Sequence, residues 1–253
     1  MGLRTNIRSF LLKYAMRGTL SYEGDALALW NKNLDFLTDP KFVSAYRRGM
    51  DSGHTIGRPM GSKKDIHIEY RVYICCWAAA HAAKLPGNFA ECGTNTGIMS
   101  LAICEYIDFN ATGKDFFLFD TYNGIPESAL SERDRAANRI SHNKMYFDCY
   151  EVAKKNFSPF PKAHLVRGVV PESFHQVDTG PISYLCLDMN IAKPERAAIE
   201  HFWPKMVTGG IVILDDYGWN GYKDQKETID EFATLAGVKV LTLPTGQGMM
   251  IKP

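Results

Sequence analysis

Long apolar runs are missing from this sequence. The opening stretch "MGLRTNIRSFLLKYAMRGTL" is interrupted by Arg4, Arg8, Lys13 and Arg17, and its apolar part is too short for a signal peptide or a membrane span. Asn6 stands where a myristoylation signal needs Ser or Thr. With no acid before Glu23, the segment suits a basic amphipathic helix, expected to pack on a partner subunit, with a membrane surface as the alternative. Paired cysteines are missing as well. Cys75, Cys76, Cys92, Cys104, Cys149 and Cys186 form no C-x-x-C, and most lie in apolar runs. That excludes a zinc site or a disulfide frame and points to reduced thiols in a cytoplasmic protein. There is no surplus of one charge: 29 Lys and Arg face 28 Asp and Glu, a formal net charge of +1, so nothing global points to nucleic acid. Internal repeats and low-complexity tracts are also missing.

What is present is enough for a core. The 253 residues are 45% hydrophobic and 23% charged. Two textures divide the chain. Residues 1–85 read as a helical extension or lid, with helical spacing through "SYEGDALALWNKNLDFLTDPKFVSAYRRGMDSG", Thr38 as a cap and Pro40 near a helix start. "HTIGRPMGSKK" reads as a polar connector and "DIHIEYRVYICCWAAAHAAKL" as a further helix. Residues 86–253 read as an α/β domain. "GNFAECG", "DFFLFDTY", "AHLVRG", "ISYLCLDMN" and "GGIVILDDY" are strands; helices fall between them, and 127–157 is a polar excursion. Strands alternating with helices imply a doubly wound, mostly parallel sheet. The final "VKVLTLPTGQGMMIKP" leaves no room for a crossover helix, so its two strands must form an antiparallel hairpin.

Three motifs carry chemistry. In "FAECGTNTG", Glu91 ends a strand, and Gly93 and Gly97 flank the turn into a helix, with Thr94 between them. Glycines there let a ligand approach the backbone at a helix N-terminus. The third glycine of a dinucleotide fingerprint and the lysine of a P-loop are missing, and the carboxylate would repel a phosphate. The turn suits S-adenosylmethionine (SAM), with a plain glycine turn as the alternative. In "FFLFDTYNGIPES", Asp120 ends the next strand, followed by Thr121, where a ribose diol would be bound; an Asp capping a loop is the alternative. Third, Asp188 ends one strand, and Asp215 and Asp216 end another. If those strands are neighbours, about 4.8 Å apart, three carboxylates converge, and their repulsion raises pKa values or demands a cation. Hard oxygen ligands without His or Cys suit Mg²⁺, Mn²⁺ or Ca²⁺.

Taken in order, "LPGNFAECG", "LFDTYNGIPES", "LVRGVVPESF", "LCLDMN", "PKMVTGGIVILDDYG" and "LPTGQGMMIKP" resemble the successive signatures of the macrocin O-methyltransferase family. The resemblance runs from about 84 to 253 and extends weakly to "HTIG" and Arg71. It implies a class I, Rossmann-like methyltransferase fold and SAM-dependent methyl transfer to sugar or phenolic hydroxyls of natural products, with a small-molecule hydroxyl acceptor and self-association. By the same resemblance, Glu91, Gly93, Thr94 and Gly97 lie under the methionine part of SAM. Asp120 and Thr121 lie at the ribose, Gly168 and Val169 near adenine, and Asp188 beside the cofactor. Asp188, Asp215 and Asp216 match Mg²⁺ ligands. Two positions depart from the family: Asn190 stands where relatives carry an acid, and Ala192 where they carry Tyr. Asp188 is the candidate proton acceptor, with His142 and His54 as alternatives. Tyr122, Tyr146, Phe147, Tyr217 and Trp219 are candidate lining residues.

Overall fold

The computed structural model describes residues 18–59, 62 and 64–253. The expected N-terminal basic helix falls outside the described residues. The first described elements are strands. β1 (Leu20–Gly24) pairs antiparallel with β2 (Leu27–Trp30), Gly24 opposite Leu27. The helical reading of "SYEGDALALW" is therefore corrected. Asp25 and Ala26 both take positive φ, 49° and 59°, a two-residue type I′ turn that matches the twist of a hairpin. α1 (Pro40–Met50) starts where proline was expected, but its cap is Asp39, whose side chain accepts from the Lys41 N–H, and not Thr38. α2 (Glu69–Ala82) follows the connector.

From Asn88 onward strands and helices alternate as the sequence suggests. β3 (Asn88–Cys92), β4 (Phe116–Asp120), β5 (Ala163–Arg167), β6 (Ile182–Leu187) and β7 (Met206–Leu214) are parallel. β8 (Leu241–Thr242) and β9 (Gly248–Ile251) form the closing hairpin, with β9 antiparallel to β7, in the order β5-β4-β3-β6-β7-β9-β8. Strand order reverses between β3 and β6. A crevice therefore opens at their carboxyl ends, where open α/β sheets bind ligands.

Side-chain alternation assigns the two faces of the sheet. Phe89, Tyr184, Cys186, Ile211 and Ile213 point to a core shared with Phe42 and Ala45 of α1, Val72 and Ala79 of α2, and α3 (Ile98–Tyr106). Ala90, Cys92, Leu185, Leu187, Val212 and Leu214 point to the opposite core, built with α7 (Ala192–Phe202) and α8 (Lys223–Leu235). α1 and α2 thus help cover one face of the sheet. The six cysteines are buried and unpaired, as expected. The excursion over 127–157 is made of short pieces, among them α5 (Glu132–Ala136) and α6 (Tyr150–Phe157), with the four-residue α4 (Phe109–Thr112) preceding β4. No described helix is long and apolar enough to cross a membrane.

Candidate active site

A cavity of 440 Å³ lies over the switch point, and most of the nominated residues meet there. Its first half is built on the ends of β3, β4 and β5. Glu91, Gly93, Thr94, Asp120, Thr121, Gly168 and Val169 all line it. Gly93 is dictated by the sheet. At φ 96° its missing Cβ would sit 1.8 Å from the carbonyl oxygen of Asp188, so only glycine lets β3 and β6 end side by side. Gly97 does not line the cavity; a Cβ there would meet the Phe157 ring at 2.6 Å, so helix packing, not ligand approach, selects it.

Two carboxylates dominate this half. Glu91 is 2% exposed, and its Oε2 makes no hydrogen bond. Burial pushes it up to about 7, against the nearby Ser100 and Thr94 hydroxyls, which favour its charge. Asp120 is held by the backbone: the Asn95 N–H donates to Oδ2 and the Tyr122 N–H to Oδ1, both at 2.6 Å. Burial still raises its pKa; the Thr121 hydroxyl is also within 3.4 Å of Oδ1, so Oδ2 is the oxygen with a lone pair left for the cavity. Asn95 is a site residue the sequence reading missed, because its contribution is a backbone N–H.

The second half sits on the ends of β6 and β7. These strands are neighbours, and the Asp215 N–H donates to the Leu187 carbonyl at 2.9 Å. Asp188, Asp215 and Asp216 all line the cavity. The charge that answers them is Arg71 of α2. Its guanidinium donates to both carboxylate oxygens of Asp215, with Nε–Oδ1 at 3.3 Å, and lies 3.7 Å from Asp216. Gln247 donates to Asp215 Oδ1 at 3.0 Å. Burial works against the charge on Arg71, but Asp215, Asp216 and Asp188 outweigh it and hold it protonated. Asp188 is raised well above the ordinary carboxylate range by burial and by Asp215 and Asp216. Asp216 is pushed up to about 7 by burial and Asp215, and its buried Oδ2 has no donor.

A polar chain reaches Asp188 from the side. The Tyr222 hydroxyl donates to Asn190 Oδ1 at 3.0 Å, and Asn190 Nδ2 reaches Asp188 Oδ1 at 3.4 Å. Behind it, the buried Glu195 accepts from the Met189 N–H at 3.1 Å and from Gln225 at 2.7 Å. His142 lines the cavity with its ring 6.4 Å from that of Tyr222; burial and Arg139 lower its pKa. His54, the other histidine candidate, is 1% exposed and does not line the cavity. Tyr122, Tyr146 and Phe147 line it; Tyr217 and Trp219 do not.

Whether the acids could hold a divalent ion rests on their oxygens. The orphaned Oδ2 of Asp216 and the all-carboxylate donor set suit a hard ion, but Arg71 engages Asp215, and the oxygens of Asp188, Asp215 and Asp216 do not converge within 4.8 Å of one another as the sequence suggested. Among the described residues, three ligand atoms come within 4.8 Å of one another only at Asp65, His67 and Glu69, before and at the start of α2. One oxygen of each acid there is already engaged: Asp65 Oδ1 accepts from the Tyr46 hydroxyl and the His67 N–H, and Glu69 Oε2 from the Tyr22 hydroxyl at 2.8 Å.

The sequence profile of the macrocin-O-methyltransferase (TylF) family matches residues 63–241, well over half of the chain. The chain belongs to that family. As a macrocin O-methyltransferase family member it is a SAM-dependent methyltransferase. A Streptomyces olivaceus relative, 8-demethyl-8-(2,3-dimethoxy-α-L-rhamnosyl)-tetracenomycin-C 4′-O-methyltransferase, is 23% identical over 193 residues, 74% of this chain and 70% of its own length. Two solved structures share the fold. The O-methyltransferase NovP superposes with a TM-score of 0.68 at 16% identity, covering 86% of this chain and 97% of its own. The calicheamicin methyltransferase CalS11 does so at 0.56 and 15% identity, covering 87% and 98%. The class I methyltransferase fold implied by the family resemblance, with the antiparallel C-terminal hairpin read from the sequence, is thus the observed one.

Proposed function

We propose that this family member transfers the methyl group of SAM to a hydroxyl of a sugar or phenolic natural product, with a divalent cation assisting. The observation that carries the reading is the single cavity whose two halves differ in chemistry. One half, at Glu91 and Asp120, suits the cofactor; the other, at Asp188 and Asp216, suits a hydroxylated acceptor. The relative that acts on a rhamnosyl group favours a sugar.

In this reading Glu91 faces the ammonium of SAM, with Thr94 beside it. Asp120 accepts from a ribose hydroxyl through the Oδ2 lone pair that Asn95 leaves free, with Thr121 at its side. Gly168 and Val169 lie against adenine. The sulfonium methyl is already activated, so the chain must place a hydroxyl oxygen in line with it and take its proton. Asp188 is the first candidate acceptor, since it ends β6 at the centre of the acceptor half. His142, whose pKa burial and Arg139 lower, is the second. The Tyr222–Asn190 chain orients Asp188, and the acid that relatives carry at 190 is here an amide that can only orient. Asp188, Asp215 and Asp216 would hold Mg²⁺ or Mn²⁺, which would polarise a bound hydroxyl and lower its pKa. Residues before 86 act as a lid, since Asp25, Ile56, Ile66 and Arg71 close one side of the cavity. Buried free thiols suit a cytoplasmic enzyme. Self-association belongs to the same proposal, and sedimentation at the monomer mass would remove it.

The test follows S-adenosylhomocysteine formation from SAM with methyl α-L-rhamnoside and with catechol, with Mg²⁺ or with EDTA. The reading expects turnover that EDTA abolishes and that Asp188→Asn lowers at least a hundredfold. Turnover indifferent to EDTA removes the cation, and SAM binding without turnover on either acceptor class removes the acceptor reading.

A further inference from the structure

The turn of the N-terminal hairpin reaches the acceptor half of the cavity. Asp25 lines it, although it lies in a segment that sequence spacing assigned to a helix. Asp25 Oδ2 is 3.8 Å from Arg71 Nε, too far for a hydrogen bond, and is buried without a hydrogen-bond donor. Asp216 Oδ2 is the same: buried, on a residue that lines the cavity and is 8% exposed, and without a donor. Arg71 stands between them, 3.7 Å from Asp216. An unmet buried carboxylate oxygen costs free energy unless a ligand supplies a hydrogen.

The hairpin is fixed so that Asp25 stays there. The Tyr22 hydroxyl donates to Glu69 at 2.8 Å, and its ring packs edge-on against Tyr70 at 5.0 Å. Gly24 passes so close to Tyr22 and the His67 carbonyl that a Cβ would lie 2.5 and 2.7 Å from their oxygens. Ala26 sits at φ 59°, a conformation costing a residue with a Cβ roughly 1–2 kcal/mol. Strain of this kind gathers where a fold holds a group for a ligand.

We propose that Asp25 is a specificity residue that accepts a hydrogen from a hydroxyl of a polyhydroxylated acceptor, a sugar ring, beyond the hydroxyl that is methylated. Carboxylates only accept, so the partner of Asp25 must donate, and a carboxylate at the rim of the acceptor half beside a guanidinium matches a ring that carries a further hydroxyl there. A catechol, flat and with two hydroxyls, spans the methyl-accepting position but offers nothing further to Asp25. The inference rests on the methyltransferase reading above and adds a determinant from the N-terminal hairpin.

Asp25→Asn and Asp25→Gly both tolerate positive φ, so neither strains the turn. Calorimetry with SAM and steady-state kinetics with methyl α-L-rhamnoside and catechol are run on each variant and the wild type. The expected result is a KM for the rhamnoside raised at least tenfold in Asp25→Gly and less in Asp25→Asn. SAM affinity and the KM for catechol stay within twofold. An unmoved rhamnoside KM, an equal rise for both acceptors, or a change in Mg²⁺ affinity at constant KM overturns the inference and leaves the methyltransferase reading standing. A wild type that binds SAM and methylates catechol but no sugar does the same. A wild type that binds no SAM takes down the underlying reading, and this inference with it.

Discussion

Replacing Glu91 with Gln separates what this carboxyl does for the fold from what it does for the cofactor. Its pKa rises from an ordinary 4.5 to about 7 on folding, because burial disfavours the charge. Below 4.5 the group is protonated in both states, and folding carries no penalty. Between 4.5 and 7 the unfolded chain releases the proton while the native state keeps it. The native state therefore binds more protons, and stability falls as pH rises. At about 1.4 kcal/mol per unit, the loss reaches about 3 kcal/mol by pH 7 and then levels off. The Glu91→Gln variant has no such slope from this position. Urea denaturation at pH 5, 6, 7 and 8 should show the two proteins nearly equal at pH 5 and Glu91→Gln more stable by about 3 kcal/mol at pH 8. Glu195, raised to about 8, and Asp216, raised to about 7, slope in both proteins and cancel in the difference. SAM binding runs the other way. Wild-type affinity climbs up to about tenfold per unit toward pH 7 as Glu91 ionises beside the ammonium, whereas the variant binds weakly at every pH. Parallel stability curves, or a Gln variant that is less stable at pH 8, would refute the reasoning.

Gly93→Ala places a Cβ 1.8 Å from the Asp188 carbonyl at φ 96°, so melting should fall by roughly 10 °C and SAM binding should be lost, read by differential scanning fluorimetry. Arg71→Met leaves Asp215, Asp216 and Asp188 without their counter-charge. Denaturation should show a loss of about 3–5 kcal/mol at pH 8, partly recovered at pH 5 as the raised carboxyls protonate; a loss independent of pH would contradict the role. Asp120→Ala removes the acceptor for the Asn95 and Tyr122 N–H groups and the ribose-facing oxygen. Calorimetry should give SAM affinity about 10–100-fold weaker, with kcat at saturating cofactor changed far less.

The parts of the site that sequence revealed are those set by strand ends. Asp188, Asp215 and Asp216 follow apolar runs that can only be buried strands, and parallel strands present their carboxyl ends on one side of the sheet. Asp120 and Glu91 were legible for the same reason. What stayed hidden depends on contacts distant in sequence. Arg71 meets Asp215 from a helix 144 residues away, and nothing in "IEYRVY" marks it as a counter-ion. The hairpin over 20–30 was missed because Leu20 and Leu27, like Tyr22 and Leu29, recur at seven residues, a spacing that a helix shares with two short strands. Its turn is Asp-Ala, where Asn-Gly would have announced it. Gly97 and His54 stand in motif-like strings but outside the cavity lining: one accommodates Phe157 and the other is buried.

The most direct measurement is a crystal structure of the enzyme grown with S-adenosylhomocysteine and Mg²⁺. The account predicts a ribose hydroxyl within about 3 Å of Asp120, the ammonium at Glu91 and the sulfur facing Asp188, with cation density among Asp188, Asp215 and Asp216. A nucleoside bound away from Asp120 and Glu91, with Arg71 still holding Asp215 and no cation beside it, would contradict it.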